Sequence, residues 1–233
     1  MLEAVPIYKA VIFDLDGTLF DSQIDFQEMK RRSISLLEKS GVPPGLLSEE
    51  MLNYEIEGLA VEALAQTGIS AAEIKRVLQR VAEIMDQIEL EALEGASIFP
   101  GVVETLEELK NRGFKIGIIT RSCREYALGL IEKFGLQRLI DGVAARDDVL
   151  EPKPAAEHAL YLMEILGVKP SETVLAGDHP MDALCAEKAG IRFFLISTAD
   201  TDLKTFKPYN YEALQNIRQI VNLLTPSGDT ACA

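Results

Sequence analysis

Short apolar, β-branched runs alternate with helix-spaced segments along most of this chain, and one long interval breaks the alternation. The run Tyr8-Lys-Ala-Val-Ile-Phe13 ends in Asp14-Leu-Asp-Gly-Thr18, a cluster of polar and turn-forming residues, which predicts a buried strand followed by a turn. From Ser22 to about Leu93 no second run of this kind occurs. Apolar residues there recur at helical spacing, Ile34 and Leu37 and then Val77, Leu78, Val81, Ile84, Met85 and Ile88, so the stretch is predicted to be all helix. Its breaks fall at Gly41-Val-Pro-Pro-Gly45 and at Gly68-Ile-Ser70, where Ser70 and Glu73 form a capping box for a long helix.

Pro100-Gly101 closes that block, and beyond it helices alternate with short apolar strands, the signature of βαβ units in a parallel sheet. Strands are predicted at Lys115–Ile119, Gly142–Ala145, Thr173–Ala176 and Arg192–Ile196. Helices are predicted near Val102–Asn111, Arg124–Phe134, Ala155–Leu166 and Met181–Ala189. With the first strand this gives a Rossmann-like α/β core on a parallel five-stranded sheet, interrupted after its first strand by an inserted α-helical domain. The expected division is a discontinuous core of residues 1–19 and 98–226, a helical insertion of residues 20–97 that can act as a lid, and a frayed tail of residues 227–233.

At 233 residues, 48% of them hydrophobic and 26% charged, the chain can bury a core and still keep a charged surface. The net charge of −14 repels phosphate backbones and anionic headgroups, which argues against nucleic-acid and membrane partners. Cys123, Cys185 and Cys232 show neither disulfide nor zinc spacing, no apolar run is long enough to span a bilayer, and no cleavable leader opens the sequence. A cytoplasmic protein is the expectation.

Ligands of parallel sheets bind beyond the carboxyl ends of the strands. The residues there are Asp14 and Asp16 after the first strand, Thr120 after the second, Lys153 before the third crossover helix, and Asp178 with Asp182 after the fourth. Several carboxylates brought together repel one another unless a hard cation sits among them, and oxygen ligands suit magnesium. One lysine and one hydroxyl facing them suit the charged oxygens of a phosphoryl group. Gly17 permits a tight turn that brings backbone amides, with Thr18 beside them, close to a phosphate.

Asp14-Leu-Asp16-Gly17-Thr18-Leu19 resembles the first motif of haloacid dehalogenase-type phosphatases. Thr120, closing Ile116-Gly-Ile-Ile-Thr120, is similar to their second motif, Lys153 in Glu-Pro-Lys-Pro to the third, and Gly177-Asp178-His-Pro-Met-Asp182 to the fourth. The resemblance implies a phosphoglycolate phosphatase-like member whose helical insertion is a cap. It implies Asp14 as nucleophile, Asp16 as general acid and base with its backbone carbonyl on magnesium, Asp14 and Asp178 as metal ligands, and Asp182 as an outer ligand or a partner of Lys153. Thr120, Lys153, Gly17 and Thr18 would bind the phosphate of a small phosphorylated metabolite. Arg121, where many relatives carry asparagine, is a further candidate for touching substrate, with a surface arginine as the equal alternative.

Blander roles are expected for other residues. Ser122 with Glu125 reads as a capping box for the next helix, and Pro154 suits that following Lys153. His158 and His179 lack partners at metal-ligand spacing, and His179 reads as loop structure. The triplet Lys30-Arg31-Arg32 reads as a solvated face. Two competing functions share the first motif or the site chemistry. A phosphosugar mutase would pass the phosphoryl group to another hydroxyl, although such relatives often carry valine in place of Thr18. A phospho-accepting receiver module gathers similar groups, but it has no helical insertion after its first strand.

Overall fold

The computed structural model describes residues 8–197 and 201–224, so the expected tail at 227–233, including Cys232, lies outside the described residues. The chain divides into two compact units, Met1–Ser22 with Ala96–Ala233, and Gln23–Gly95.

In the first unit the apolar runs become strands because each can be buried on both faces. β1 (Ala10–Asp14) is wholly buried and pairs in parallel with β4 (Lys115–Ile119) on one side and β6 (Thr173–Gly177) on the other. β5 (Gly142–Ala144) extends the sheet beyond β4, and β7 (Arg192–Ile196) extends it beyond β6. The predicted five strands are therefore present, but the sheet has a sixth. β8 (Glu212–Leu214) pairs in parallel with the outer edge of β7, giving the order β5-β4-β1-β6-β7-β8. Only Leu214 of its three residues is buried, so the segment carries no alternation a sequence pattern could register. A two-residue ribbon, β2 (Phe20–Asp21) with β3 (Ser97–Ile98), was likewise too short to predict.

Among the described residues the unit also forms helices α4 (Val102–Asn111), α5 (Arg124–Lys133), α6 (Ala156–Leu166), α7 (Pro180–Ala189) and α8 (Gln219–Leu223). α6 packs on β4 and β5, and α7 on β6 and β7, enclosing Ile12, Leu162, Leu166, Leu175, Ala186 and Phe193. Each fully buried Leu, Ile or Phe side chain there contributes about 1.5–3 kcal/mol of transfer free energy. This dry layer holds the carboxyl ends of β1, β4 and β6 at fixed spacing.

The second unit consists of α1 (Phe26–Lys39), α2 (Asn53–Gln66) and α3 (Ala71–Ala92). Val81, Met85 and Ile88 form the buried stripe of α3, against which α1 packs. The Ser70 and Glu73 capping box forms as predicted, with Ser70 Oγ accepting from the Glu73 amide at 3.2 Å. The break after α1 runs on through Leu52 rather than ending at Gly45. In the basic triplet, Arg31 and Arg32 pair with Glu28 and Lys30 donates to the Glu49 carbonyl, as a solvated face requires. Among the described residues no helix is long and apolar enough to cross a membrane.

Candidate active site

The carboxyl ends of the central strands converge on Asp14. Burying the apolar residues of β1 carries the Asp14 carboxylate below the surface, where only 6% of the residue is exposed. The chain then turns sharply, with the Leu19 amide donating to the Leu15 carbonyl at 2.9 Å and the Gly17 amide to the Phe20 carbonyl at 2.8 Å. Gly17 has φ +85°, and a Cβ there would lie 2.3 Å from Asp178 Oδ2. Its own amide is committed to the turn, so glycine serves here through conformation and clearance, which is how the sequence reading used it. Thr18 Oγ donates to Asp178 Oδ1 at 3.0 Å and lies 3.5 Å from Asp14 Oδ2.

Lys153 is 3% exposed and reaches this cluster from the loop before α6. Its ammonium donates to Asp14 Oδ1, to Asp182 Oδ1 at 2.6 Å and to the Ile119 carbonyl at 3.2 Å, which uses all three of its protons. The loop is itself held. The Lys153 amide donates to His158 Nδ1 at 3.0 Å, His158 Nε2 lies 3.0 Å from the Ala144 carbonyl, and Arg121 Nη1 donates to the Lys153 carbonyl. His158 is thus a buried strut between the lysine loop and β5, a role its isolated position in the sequence did not reveal. Arg121 is part of the same brace. Pro154 does not open α6 as expected, because the helix begins at Ala156 with Ala155 as its N-cap.

Asp182 sits in the first turn of α7, where its Oδ2 accepts from the His179 amide at 3.1 Å while Oδ1 faces Lys153. A Cβ on Gly177 would lie 2.4 Å from Asp182 Oδ2, so a side chain at that position is excluded by the approach of α7. His179 is the N-cap of this helix, its Nδ1 accepting from the Met181 amide at 3.1 Å.

Asp16 lies on the other side of the turn with Thr120 and Ser122. Its Oδ2 accepts from Ser122 Oγ at 2.7 Å and from Thr120 Oγ1 at 3.3 Å, and Thr120 Oγ1 in turn accepts from the Ser122 amide at 3.0 Å. This corrects the reading of Ser122 as a helix cap. The N-cap of α5 is Cys123, which makes no side-chain cap bond, and the Ser122 hydroxyl is spent on Asp16.

Burial raises the Asp14 carboxyl well above the usual carboxylate range; Lys153 opposes that rise, and the charges of Asp182, Asp178 and Asp16 add to it. Burial and then the charge of Asp182 lift Asp178 to about 6. Burial also raises Asp16, against the hydrogen bond from Ser122. For Lys153 burial works against the charge, but Asp14 and Asp182 more than reverse it, so the ammonium is held charged. One oxygen each from Asp14, Asp178 and Asp182 lies within 4.8 Å of the others. Hard oxygen donors gathered this closely fit a divalent cation.

The model of a known family, described as haloacid dehalogenase-like hydrolase, matches residues 11–196. The chain belongs to that family. Its resemblance to the haloacid dehalogenase-like hydrolases extends to a phosphoglycolate phosphatase of Rhodospirillum rubrum, 30% identical over 193 residues that cover 81% of this chain and 79% of the relative. Among solved structures, a candidate haloacid dehalogenase-like hydrolase of Bacteroides fragilis superposes with a TM-score of 0.67 at 26% identity, covering 91% of this chain and 99% of that one. A candidate β-phosphoglucomutase of Thermotoga maritima reaches 0.61 at 27% identity, covering 92% and 97%. The α/β architecture with a parallel central sheet is the family's fold. Asp14, Thr18, Lys153, Asp178 and Asp182 form one contact network, and Asp16, Thr120 and Ser122 form a second beside it.

Proposed function

We propose that this member of the family is a magnesium-dependent phosphatase that hydrolyses a small phosphomonoester through an aspartyl phosphate on Asp14. The observation that carries the reading is the buried ammonium of Lys153, shared between Asp14 and Asp182 at the end of the central strand. A carboxylate sequestered in this way is poised to meet a dianionic phosphoryl group beside a fixed positive charge. Magnesium, held by Asp14, Asp178 and the backbone carbonyl of Asp16 with Asp182 in the outer shell, would supply the charge that draws the phosphate in.

Lys153 holds Asp14 Oδ1, which leaves Oδ2 as the oxygen that attacks phosphorus. As the bond to the leaving oxygen breaks, Asp16 gives that oxygen its proton, and the resulting carboxylate then takes a proton from the water that cleaves the aspartyl phosphate. Thr120 turns its hydroxyl toward a phosphate oxygen, Lys153 balances the negative charge, and Thr18 keeps Asp178 aligned. The helical unit, residues 20–97 in the sequence-based division, serves in this reading as the cap that selects the leaving group.

Phosphate release from 4-nitrophenyl phosphate in the presence of magnesium tests the chemistry. Asp14→Asn should lower kcat by roughly 10³-fold or more, and full activity in that variant, with deamidation excluded by mass spectrometry, removes Asp14 as nucleophile. A substrate panel headed by phosphoglycolate and hexose phosphates then identifies the physiological class. The likeness to the T. maritima protein favours one competing reading, a phosphosugar mutase. It is distinguished by isomerisation of a hexose phosphate without net phosphate release.

A further inference from the structure

We infer that Ser122 is a positioning residue for Asp16, fixing the carboxyl so that Oδ1 is the oxygen that carries the transferred proton. The inference rests on the reading of Asp16 as the proton donor to the leaving group. Two hydroxyls donate to Asp16 Oδ2, from Ser122 at 2.7 Å and Thr120 at 3.3 Å, whereas Oδ1 is buried and accepts no hydrogen bond of normal geometry among the described residues; the Ser22 hydroxyl lies beside the same carboxyl and also favours its charged form, less than Ser122 does. In a carboxylic acid the oxygen that accepts hydrogen bonds is the carbonyl oxygen, and the proton resides on the other. Ser122 therefore decides which oxygen is the acid.

The serine is built to hold still. It is 5% exposed, its amide donates to Thr120 Oγ1 at 3.0 Å, and its carbonyl accepts from the Arg146 amide at 3.1 Å, so its backbone is fixed on both sides. Its presence also frees Thr120. A threonine has a single hydroxyl proton, and at 3.3 Å that proton is weakly committed to Asp16 while Ser122 makes the shorter bond. Thr120 can then turn to a phosphate oxygen without releasing Asp16. During phosphoryl transfer a lone pair of Asp14 forms the new bond to phosphorus, the bond to the leaving oxygen breaks, and the electron pair left on that oxygen takes the proton from Asp16 Oδ1. Asp16 remains as a carboxylate with Ser122 still donating to Oδ2. Without Ser122 the carboxyl can rotate about its last bond, and the proton is divided between two oxygens.

The test uses the full chain, saturating magnesium, and kcat/KM for three aryl phosphates whose phenols leave with increasing difficulty: 2,4-dinitrophenyl, 4-nitrophenyl and phenyl phosphate. kcat/KM ends at the first irreversible step and so includes departure of the phenol. Ser122→Ala should lose roughly 10- to 100-fold on phenyl phosphate and under about threefold on the dinitrophenyl ester, because only the poor leaving group needs the acid. Ser122→Thr, which keeps the hydroxyl, should stay within about threefold of wild type on all three. Should the alanine variant not fold, Ser122→Cys, nearly isosteric with a weaker donor, reads the same contrast. Equal loss on all three esters, or a threonine variant as impaired as the alanine one, overturns the positioning role. Asp16→Asn is the marker for the underlying reading and should show the same leaving-group dependence with larger losses. If it shows none, the assignment of Asp16 as acid fails; if it does and Ser122→Ala does not, the Ser122 inference alone fails.

Discussion

Replacing Lys153 by methionine removes a charge while keeping most of the side chain's length and apolar contact. Asp14 and Asp182 would then face each other in a dry site, since Lys153 is 3% exposed and the two carboxylates 6% and 1%. Breaking a buried ion pair by deleting one partner costs about 3–5 kcal/mol, because an uncompensated charge is left behind. For a chain of this size each kcal/mol moves the midpoint by about 2–4 °C, so the melting temperature should fall by about 6–20 °C. The measurement is thermal unfolding in chelator, so that no cation replaces the ammonium, at pH 8 and at pH 5. The sign of the pH effect is fixed by Asp14, whose carboxyl is already raised by burial and loses in the variant the one group that lowers it. Between the unfolded value near 3.9 and the raised folded value, the folded variant holds more protons than the unfolded chain, so its stability falls as pH rises. The gap to wild type should therefore be wider at pH 8 than at pH 5. A difference below about 2 °C at pH 8, or a gap that widens on acidification, refutes the reasoning.

Gly17→Ala combines a left-handed backbone, costing roughly 1–2 kcal/mol, with a Cβ placed 2.3 Å from Asp178 Oδ2. Displacement of Asp178 should raise the magnesium concentration for half-maximal 4-nitrophenyl phosphate hydrolysis at least about tenfold; a folded variant with an unchanged requirement contradicts this. His158 is held neutral, with burial and then the positive charge of Lys153 lowering it to about 3. A base depressed on folding contributes stability that is present above pH 6.5 and lost as pH falls toward 3. By pH 4.5 wild type should have lost about 2–3 kcal/mol that His158→Gln does not lose, read as the difference between their urea midpoints, and parallel pH curves would dismiss the effect.

What the sequence disclosed and what it concealed follow from how far each signal reaches. Val11, Ile12 and Phe13 announce β1 because burial on both faces demands an unbroken apolar run, and Asp14 stands out because it ends that run. Thr120 and Asp178 were legible for the same reason, each lying just beyond a strand, with Lys153 in the loop before a helix and Asp182 in a helix's first turn. β8 was not, since its pairing depends on the edge of β7 rather than on its own side chains. Ser122 was misread because a serine three residues before a glutamate satisfies a local pattern, while the acceptor that captures its hydroxyl lies 106 residues earlier. His158 carries no motif at all. Its two bonds run to the backbone of Lys153 and Ala144, and backbone partners leave no trace in residue identities.

The separations within the charged cluster also bear on how the chain is made. Asp14 precedes its counter-ion Lys153 by 139 residues, and the second carboxylate on that lysine comes 29 residues after it. Until the Lys153 loop has emerged the nascent chain holds an aspartate that has no ammonium to bury against, so β1 cannot settle into the centre of its sheet with its end residue charged. Catalytic competence and completion of the sheet thus become one event. On refolding, recovery of activity should follow closure of the strand order, long after the helices of the second unit have formed.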